Sequence, residues 1–107
     1  LVAPLSSEDR EALEAPWRDA EGQQAFYRQF AQADEALTAE IEPRLNEIAR
    51  PVHVIWGADD PWIPLDRGCA LAAALGCGID PLPGLGHLPQ LEDPEQTLAA
   101  ALPAFQG

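Results

Sequence analysis

Residues 52–61 read VHVIWGADDP, a β-branched and aromatic run that ends in a glycine and two adjacent aspartates. The near-continuous run from Val52 to Trp56 is typical of a strand that is buried on both faces in a parallel sheet. A second, shorter run from Ile79 to Leu82 precedes Gly84-Leu85-Gly86-His87. The two runs predict two strands, and each is followed by a loop that carries a titratable side chain.

Helical patterns separate and follow these strands. Apolar residues at helical spacing predict a crossover helix from Arg67 to Leu75, which Gly76 and Gly78 would end. Pro94 can open a last helix that runs from Glu95 to Phe105. The order strand, helix, strand, helix predicts an α/β fold with two parallel strands and flanking helices.

The first fifty residues are polar and contain no strand pattern. Ser6 or Ser7 can cap a short first helix, because a hydroxyl satisfies a free N–H of the first turn. A second helix is predicted from about Ala20 to Ala33, and a helical turn from Pro43 to Ile48. One side of the second helix is aromatic, with Phe26, Tyr27 and Phe30. We therefore expect a helical segment over residues 1–50 and an α/β segment over residues 51–107.

Composition limits the possible partners. The 107 residues carry a formal net charge of −12, which repels nucleic-acid phosphates and anionic lipid surfaces. No apolar run approaches the roughly twenty residues that span a bilayer. The first residues given show no basic region followed by an apolar stretch, so we do not expect export. Cys69 and Cys77 show no metal-binding or redox spacing and are expected to be reduced. A cytoplasmic protein that acts on a small molecule fits these features, with no nucleic-acid or membrane partner.

The order of strands and loops resembles the C-terminal portion of the α/β-hydrolase family. The matching sequences are VHVIWGADDPWIP and PLPGLGHLPQLEDPEQ, which together cover about half of the chain. The resemblance implies that the two strands are the last of the family's central sheet and that residues 1–50 are the end of its helical cap. The family's nucleophile elbow, GxSxG, and its oxyanion-hole loop have no counterpart here. We expect this C-terminal segment to be inactive alone and to need a missing N-terminal part of the same enzyme.

The resemblance places the catalytic acid on the third residue after Gly57, which is Asp60, and the base on His87. The chemistry supports such a pair, because a histidine that activates a nucleophile needs a carboxylate to fix its tautomer. Asp59 is the alternative acid. An isolated Asp-Asp-Pro also forms ordinary turns in which the carboxylates accept local backbone N–H groups.

Other side chains near these loops are candidates for lesser roles. Trp62, Ile63 and Leu88 are predicted to contact substrate, although plain packing is an equal alternative for the first two. His53 is expected to be a hydrogen-bonded residue of the core or between helices, without a catalytic role. No cofactor or metal site is expected, since the acidic residues after His87 would instead cap and charge the last helix; they are Glu92, Asp93 and Glu95.

Three functions remain open from the sequence. The first is a serine hydrolase that cleaves an ester, amide or activated carbon–carbon bond of a small apolar substrate. The second is an epoxide hydrolase or dehalogenase with an aspartate nucleophile, in which His87 activates only water. The third is a non-catalytic interaction module that uses the acidic charge and the aromatic helix face.

Overall fold

The computed structural model describes residues 1–106. Helices dominate the first half, and two strands with their connecting helix form the centre of the second half. The α-helices are α1 Ser7–Glu14, α2 Ala20–Ala31, α3 Ala36–Ala39, α4 Leu65–Leu75, α5 Pro89–Glu92 and α6 Pro94–Phe105. The strands are β1 Val54–Gly57 and β2 Ile79–Leu82, and short 3-10 helices span Ala15–Trp17 and Glu42–Glu47.

Side-chain caps explain where three of these helices begin. Ser6, rather than Ser7, caps α1, with its hydroxyl accepting the Asp9 N–H at 3.0 Å. Asp19 caps α2 through the Gly22 N–H at 2.7 Å, and Asp93 caps α6 through the Gln96 N–H. At the end of α4, Gly76 has φ of 68°, a left-handed conformation that glycine adopts without strain.

The two strands are parallel neighbours, as the sequence predicted. Val54 lies opposite Ile79 and Gly57 opposite Leu82, with α4 as the crossover connection. Because parallel strands run in the same direction, the loops that follow β1 and β2 leave from the same edge of the sheet. The fold therefore brings the Asp-Asp-Pro loop and the Gly-His loop together.

The core lies between the sheet and α4. Its buried side chains are Val54, Ala72, Leu82 and Leu85. Trp56 packs directly over Gly68, where an ideal Cβ would come within 2.6 Å of the indole ring. A glycine at this position of α4 thus permits the close contact between the helix and β1.

Several local predictions need correction. β1 begins at Val54, not Val52, and two of its residues, Ile55 and Trp56, are only half-buried. Within residues 1–106, β1 pairs with β2 alone, so its other edge has no strand partner. His53 is exposed and not a core residue. The helices α3 and α5, of four residues each, were not predicted because so short a turn shows no helical periodicity.

The aromatic side of α2 is present and largely solvent-facing. Phe26 contacts Phe30 and Trp17, with ring centroids at 4.8 and 5.5 Å. Tyr27 is 70% exposed and Phe30 is 55% exposed. Among residues 1–106, no helix has the length and hydropathy needed to cross a bilayer.

Candidate active site

The carboxylate of Asp60 is held by its own loop. Its Oδ1 accepts hydrogen bonds from the backbone N–H groups of Trp62, at 2.8 Å, and Ile63, at 3.1 Å. The side chain is 5% exposed, and the turn that begins at Gly57 places it at the end of β1. The two N–H groups occupy one oxygen and leave Oδ2 to face the neighbouring loop.

The second oxygen meets the imidazole of His87. Asp60 Oδ2 lies 2.9 Å from His87 Nδ1, so the predicted approach of these two side chains is confirmed. A carboxylate accepts and cannot donate, so Nδ1 carries the proton in this bond. The other ring nitrogen, Nε2, then keeps its lone pair, as a general base requires.

Asp60 stays ionised despite its burial. Burial raises the pKa of the carboxyl group, but the hydrogen bonds from His87, Trp62 and Ile63 lower it by more, and the net pKa lies below its ordinary value. An ionised carboxylate beside Nδ1 stabilises an imidazolium when His87 accepts a proton. The site therefore has the electrostatics of an acid-oriented base.

Asp59 has a different partner. Its Oδ2 accepts the backbone N–H of Gly84 at 2.6 Å, while its own N–H donates to the Leu85 carbonyl at 2.9 Å. Asp59 thus fastens the loop after β1 to the loop after β2. Of the two candidate acids, only Asp60 contacts the imidazole in the structure.

The His87 loop lies directly against the end of β1. An ideal Cβ on Gly57 would come within 1.9 Å of the Gly86 carbonyl oxygen, so the two backbones leave no room for a side chain. Gly84 has φ of 77°, which lets the chain turn sharply before His87. These two glycines allow the loop that carries His87 to lie within reach of Asp60.

Glu92 is a residue of this site whose role the sequence analysis missed. It was expected to charge the start of α6, yet its carboxylate binds backbone N–H groups of Gly86, Leu88, Val2 and Ala3. Burial raises its pKa, but these hydrogen bonds lower it by more, so the net pKa lies below the ordinary value. The sequence signal for this role is the spacing of four residues between Leu88 and Glu92. Side chains four residues apart lie on one side of a helix, so the Glu92 carboxylate can reach the backbone N–H of Leu88 at the start of α5.

A cavity of about 250 Å³ adjoins the Asp60–His87 pair. Its walls are Ile55, Trp56, Gly57, Asp60, Ile63, Gly86, His87, Pro89 and Gln90. Ile63 is therefore on the wall, whereas Trp62 and Leu88 are not. Trp62 instead packs against the imidazole, with ring centroids 4.5 Å apart. Substrate contact by these three residues stays a prediction.

The walls of this cavity contain no serine, threonine or cysteine. Ser6, the serine with a defined partner, caps α1 and donates its hydroxyl to Asp9. A nucleophile for His87 is therefore not among the residues that line the cavity.

A second histidine–carboxylate pair lies toward the other end of the sheet. His53 Nε2 is 2.7 Å from Asp80 Oδ2, but the Asp80 side chain is 52% exposed. Exposed pairs of this kind contribute about 0–1 kcal/mol, and water competes for both partners. Burial of the carboxylate thus distinguishes the Asp60–His87 pair from this one. Among the described residues, no three histidine, cysteine or acidic side chains group as metal ligands.

A buried carboxylate hydrogen-bonded to a histidine, on loops after two neighbouring parallel strands, is an arrangement similar to the acid and histidine of α/β-hydrolases. The family model described as "Alpha/beta hydrolase family" matches residues 2–101. The chain belongs to this family, and both the predicted resemblance and the predicted α/β fold class are confirmed.

The relatives with curated names are hydrolases. The chain is 31% identical to 2-hydroxy-6-oxo-6-phenylhexa-2,4-dienoate hydrolase of Burkholderia cepacia, over 77% of this chain and 30% of that protein. It is 54% identical to a 2-hydroxy-6-oxononadienedioate/2-hydroxy-6-oxononatrienedioate hydrolase of Paraburkholderia xenovorans (strain LB400), over 31% of this chain and 11% of that protein.

A third relative is monoacylglycerol lipase abhd6-B of Xenopus laevis, 31% identical over 67% of this chain and 22% of that protein. The alignments with these three relatives thus span between 11% and 30% of the relatives' length. No solved structure matches the chain significantly.

Proposed function

We propose that this chain supplies the acid and the base of a serine hydrolase that cleaves an activated carbonyl compound. The observation that carries the proposal is the 2.9 Å contact between the buried Asp60 carboxylate and His87 Nδ1. His87 Nε2 takes the proton of a serine hydroxyl, which attacks the substrate carbonyl. The resulting imidazolium, stabilised by Asp60, then protonates the leaving group, and His87 next activates water to release the acyl group.

The nucleophile is proposed to come from a residue outside these 107. The cavity beside His87 contains no hydroxyl or thiol side chain, so Nε2 has nothing to activate among the residues that line it. The chain alone is accordingly proposed to be inactive, with residues 1–50 acting as cap and residues 51–107 as the end of the hydrolase core.

The substrate class follows from the relatives and from the cavity. A 2-hydroxy-6-oxo-dienoate, for which two of the relatives are named, has a ketone but no ester or amide, so its hydrolysis must break a carbon–carbon bond beside that ketone. Monoacylglycerol, for which a third is named, is an ester. Both reactions begin with attack on a carbonyl carbon. Ile55, Ile63 and Pro89 on the cavity walls favour the apolar part of such a substrate.

These carbonyl substrates favour serine over the aspartate nucleophile of an epoxide hydrolase or dehalogenase. The non-catalytic alternative does not account for the position of the buried Asp60–His87 pair beside a cavity.

The test uses the native-length gene product, meaning the full-length parent enzyme in which these 107 residues would be joined to the part that supplies the nucleophile. We expect it to hydrolyse p-nitrophenyl acetate, a 2-hydroxy-6-oxo-dienoate or both, and we expect His87→Ala to lower turnover by about 10³-fold or more, as loss of a general base does. His53→Ala is the matched control and should retain turnover. Hydrolysis that does not depend on His87, or no hydrolysis of either substrate class, would contradict the proposal.

A further inference from the structure

One carboxylate, that of Glu92, collects backbone N–H groups from two distant parts of the chain. Its Oε1 accepts from Val2 at 2.7 Å and Ala3 at 2.8 Å, and it also lies 3.1 Å from the Gly86 nitrogen. Its Oε2 accepts from Leu88 at 3.1 Å. Charge-assisted hydrogen bonds are roughly twice as strong as neutral ones, so this cluster fixes the backbone wherever it makes contact.

The contacts in the second part of the chain flank the proposed base. Gly86 and Leu88 are the residues immediately before and after His87, and both donate to Glu92. The Leu88 N–H belongs to the peptide group directly after His87, whereas the Gly86 N–H belongs to the Leu85–Gly86 peptide group, one peptide group further from His87 on the other side. Holding the backbone at these two points restrains the position of the His87 Cα. The bond from Nδ1 to Asp60 then sets the remaining freedom, the rotation of the ring.

A base of this kind must be placed closely, because catalytic groups need to be held within about 0.5 Å of the productive geometry. Asp60 alone can set the tautomer, but it holds the ring at only one atom. The loop before His87 contains Gly84 and Gly86, and glycines give a backbone little intrinsic rigidity. Asp59 restrains the loop at Gly84 and Leu85, before the imidazole, and Glu92 contacts it on both sides of His87.

We propose that Glu92 is the positioning residue of His87. It acts through the backbone on either side of the imidazole. The same carboxylate also binds the N–H groups of residues 2–3, and so connects the start of the helical segment to the His87 loop. The inference rests on the proposed role of His87, but it concerns the placement of the imidazole and can be measured without turnover.

The main variant is Glu92→Gln, which keeps the size of the side chain. An amide has one oxygen, so its NH₂ group must face either the Leu88 N–H or the Val2 and Ala3 N–H groups, and at least one set of donors loses its acceptor. Glu92→Asp is the second variant, since it keeps the charge but shortens the reach. Asp93→Ala is the control, because it removes the cap of α6 and no contact with the His87 loop.

The readout is the ring nitrogen spectrum of ¹⁵N-histidine in the native-length gene product, with His53 as the internal reference. In Glu92→Gln we expect the His87 Nδ1–H to exchange with water about tenfold faster or more, because losing hydrogen bonds to a charged group costs about 1.5–3 kcal/mol. The His87 Nδ1 and Nε2 shifts should also move toward a mixture of tautomers. His53 should be unchanged, and Glu92→Asp should lie between Glu92→Gln and the parent.

Unchanged His87 signals in Glu92→Gln would overturn the inference. It would also fail if His53 and His87 changed together in both Glu92 variants, since that result indicates a general role in stability. A His87→Ala enzyme with full turnover would instead end the proposed function, while the effect of Glu92 on the imidazole would still stand.

Discussion

Asp59 and Asp60 are adjacent in the chain, yet only Asp60 reaches the imidazole of His87, at 2.9 Å. Asp59 accepts the Gly84 N–H at 2.6 Å and so joins the two loops at a residue that precedes His87. One aspartate fixes the loops and the other orients the ring. The two acidic side chains that follow β1 thus have different partners, so substitutions of Asp59 and Asp60 should have different effects.

Asp60→Asn should lower turnover of the native-length gene product by up to about four orders of magnitude. The Asn oxygen is needed by the N–H groups of Trp62 and Ile63, so its NH₂ group would donate to His87 Nδ1. That bond places the proton on Nε2, which then cannot act as a base. Steady-state kinetics on p-nitrophenyl acetate measures the loss. The matched control is Asp80→Asn, which removes the carboxylate of the exposed His53 pair and should leave turnover near the parent value.

Gly57→Ala should destabilise the protein and displace the His87 loop. The new Cβ would meet the Gly86 carbonyl oxygen at 1.9 Å, a backbone atom that can move only with its whole loop. Overpacking of a core costs about 1–3 kcal/mol, and we expect the upper end of that range or more. Urea denaturation compares this variant with Gly78→Ala, whose Cβ would meet nothing within 4 Å. Equal stability of the two variants would show that the loops do not pack as described.

Asp60 and Glu92 should make the fold sensitive to acid. Both have a pKa that is lower in the folded protein than in the unfolded chain, because backbone and imidazole hydrogen bonds outweigh burial. Their stabilisation is therefore present above the unfolded values of about 4 and is lost as pH falls through the lowered folded values. Relief of the repulsion within a chain of net charge −12 acts in the opposite direction.

Urea midpoints measured from about pH 7 to about pH 2.5 isolate this contribution, because carboxyl groups titrate within this range. Asp60→Asn and Glu92→Gln should each lose less stability than the parent on acidification. A parent and an Asp60→Asn variant with identical pH dependence would contradict the lowered pKa of Asp60.

Trp62→Ala should weaken the binding of apolar substrates. The Trp62 ring is 67% exposed and lies 4.5 Å from the His87 ring, beside the cavity and not on its wall. If substrate covers this surface, loss of the ring should raise KM by about tenfold with a smaller change in kcat. Trp17→Ala, remote from the imidazole on the helical segment, is the control. A fall in kcat at constant KM would show that Trp62 orients His87 and does not contact substrate.

The sequence predicted much of the α/β part of the fold. The runs before Gly57 and Pro83 gave two strands, and α4 and α6 appeared within two residues of their predicted bounds. These elements are predictable because strand and helix periodicity is a local property of the chain. The proximity of the two loops followed from the same reasoning, since loops after neighbouring parallel strands leave from one edge of the sheet. The choice of Asp60 over Asp59 as the acid came from the family resemblance.

The prediction was weaker where distant groups decide the outcome. His53 was expected to be hydrogen-bonded in the core or between helices. The hydrogen bond is present, to Asp80 across the two strands, but the residue is exposed. Short helices such as α3 and α5 follow from the turns around them and carry no periodic signal of their own.

The order of residues alone determined the strands, the crossover helix and the two loops that carry Asp60 and His87. Tertiary structure decided which of two adjacent aspartates reaches the ring, and it assigned to Glu92 the backbone groups of Val2 and Ala3, ninety residues and eighty-nine residues away. The physical reason is that alternation and helical spacing are set by neighbouring residues, whereas a hydrogen bond depends on where the packed backbone brings its donor.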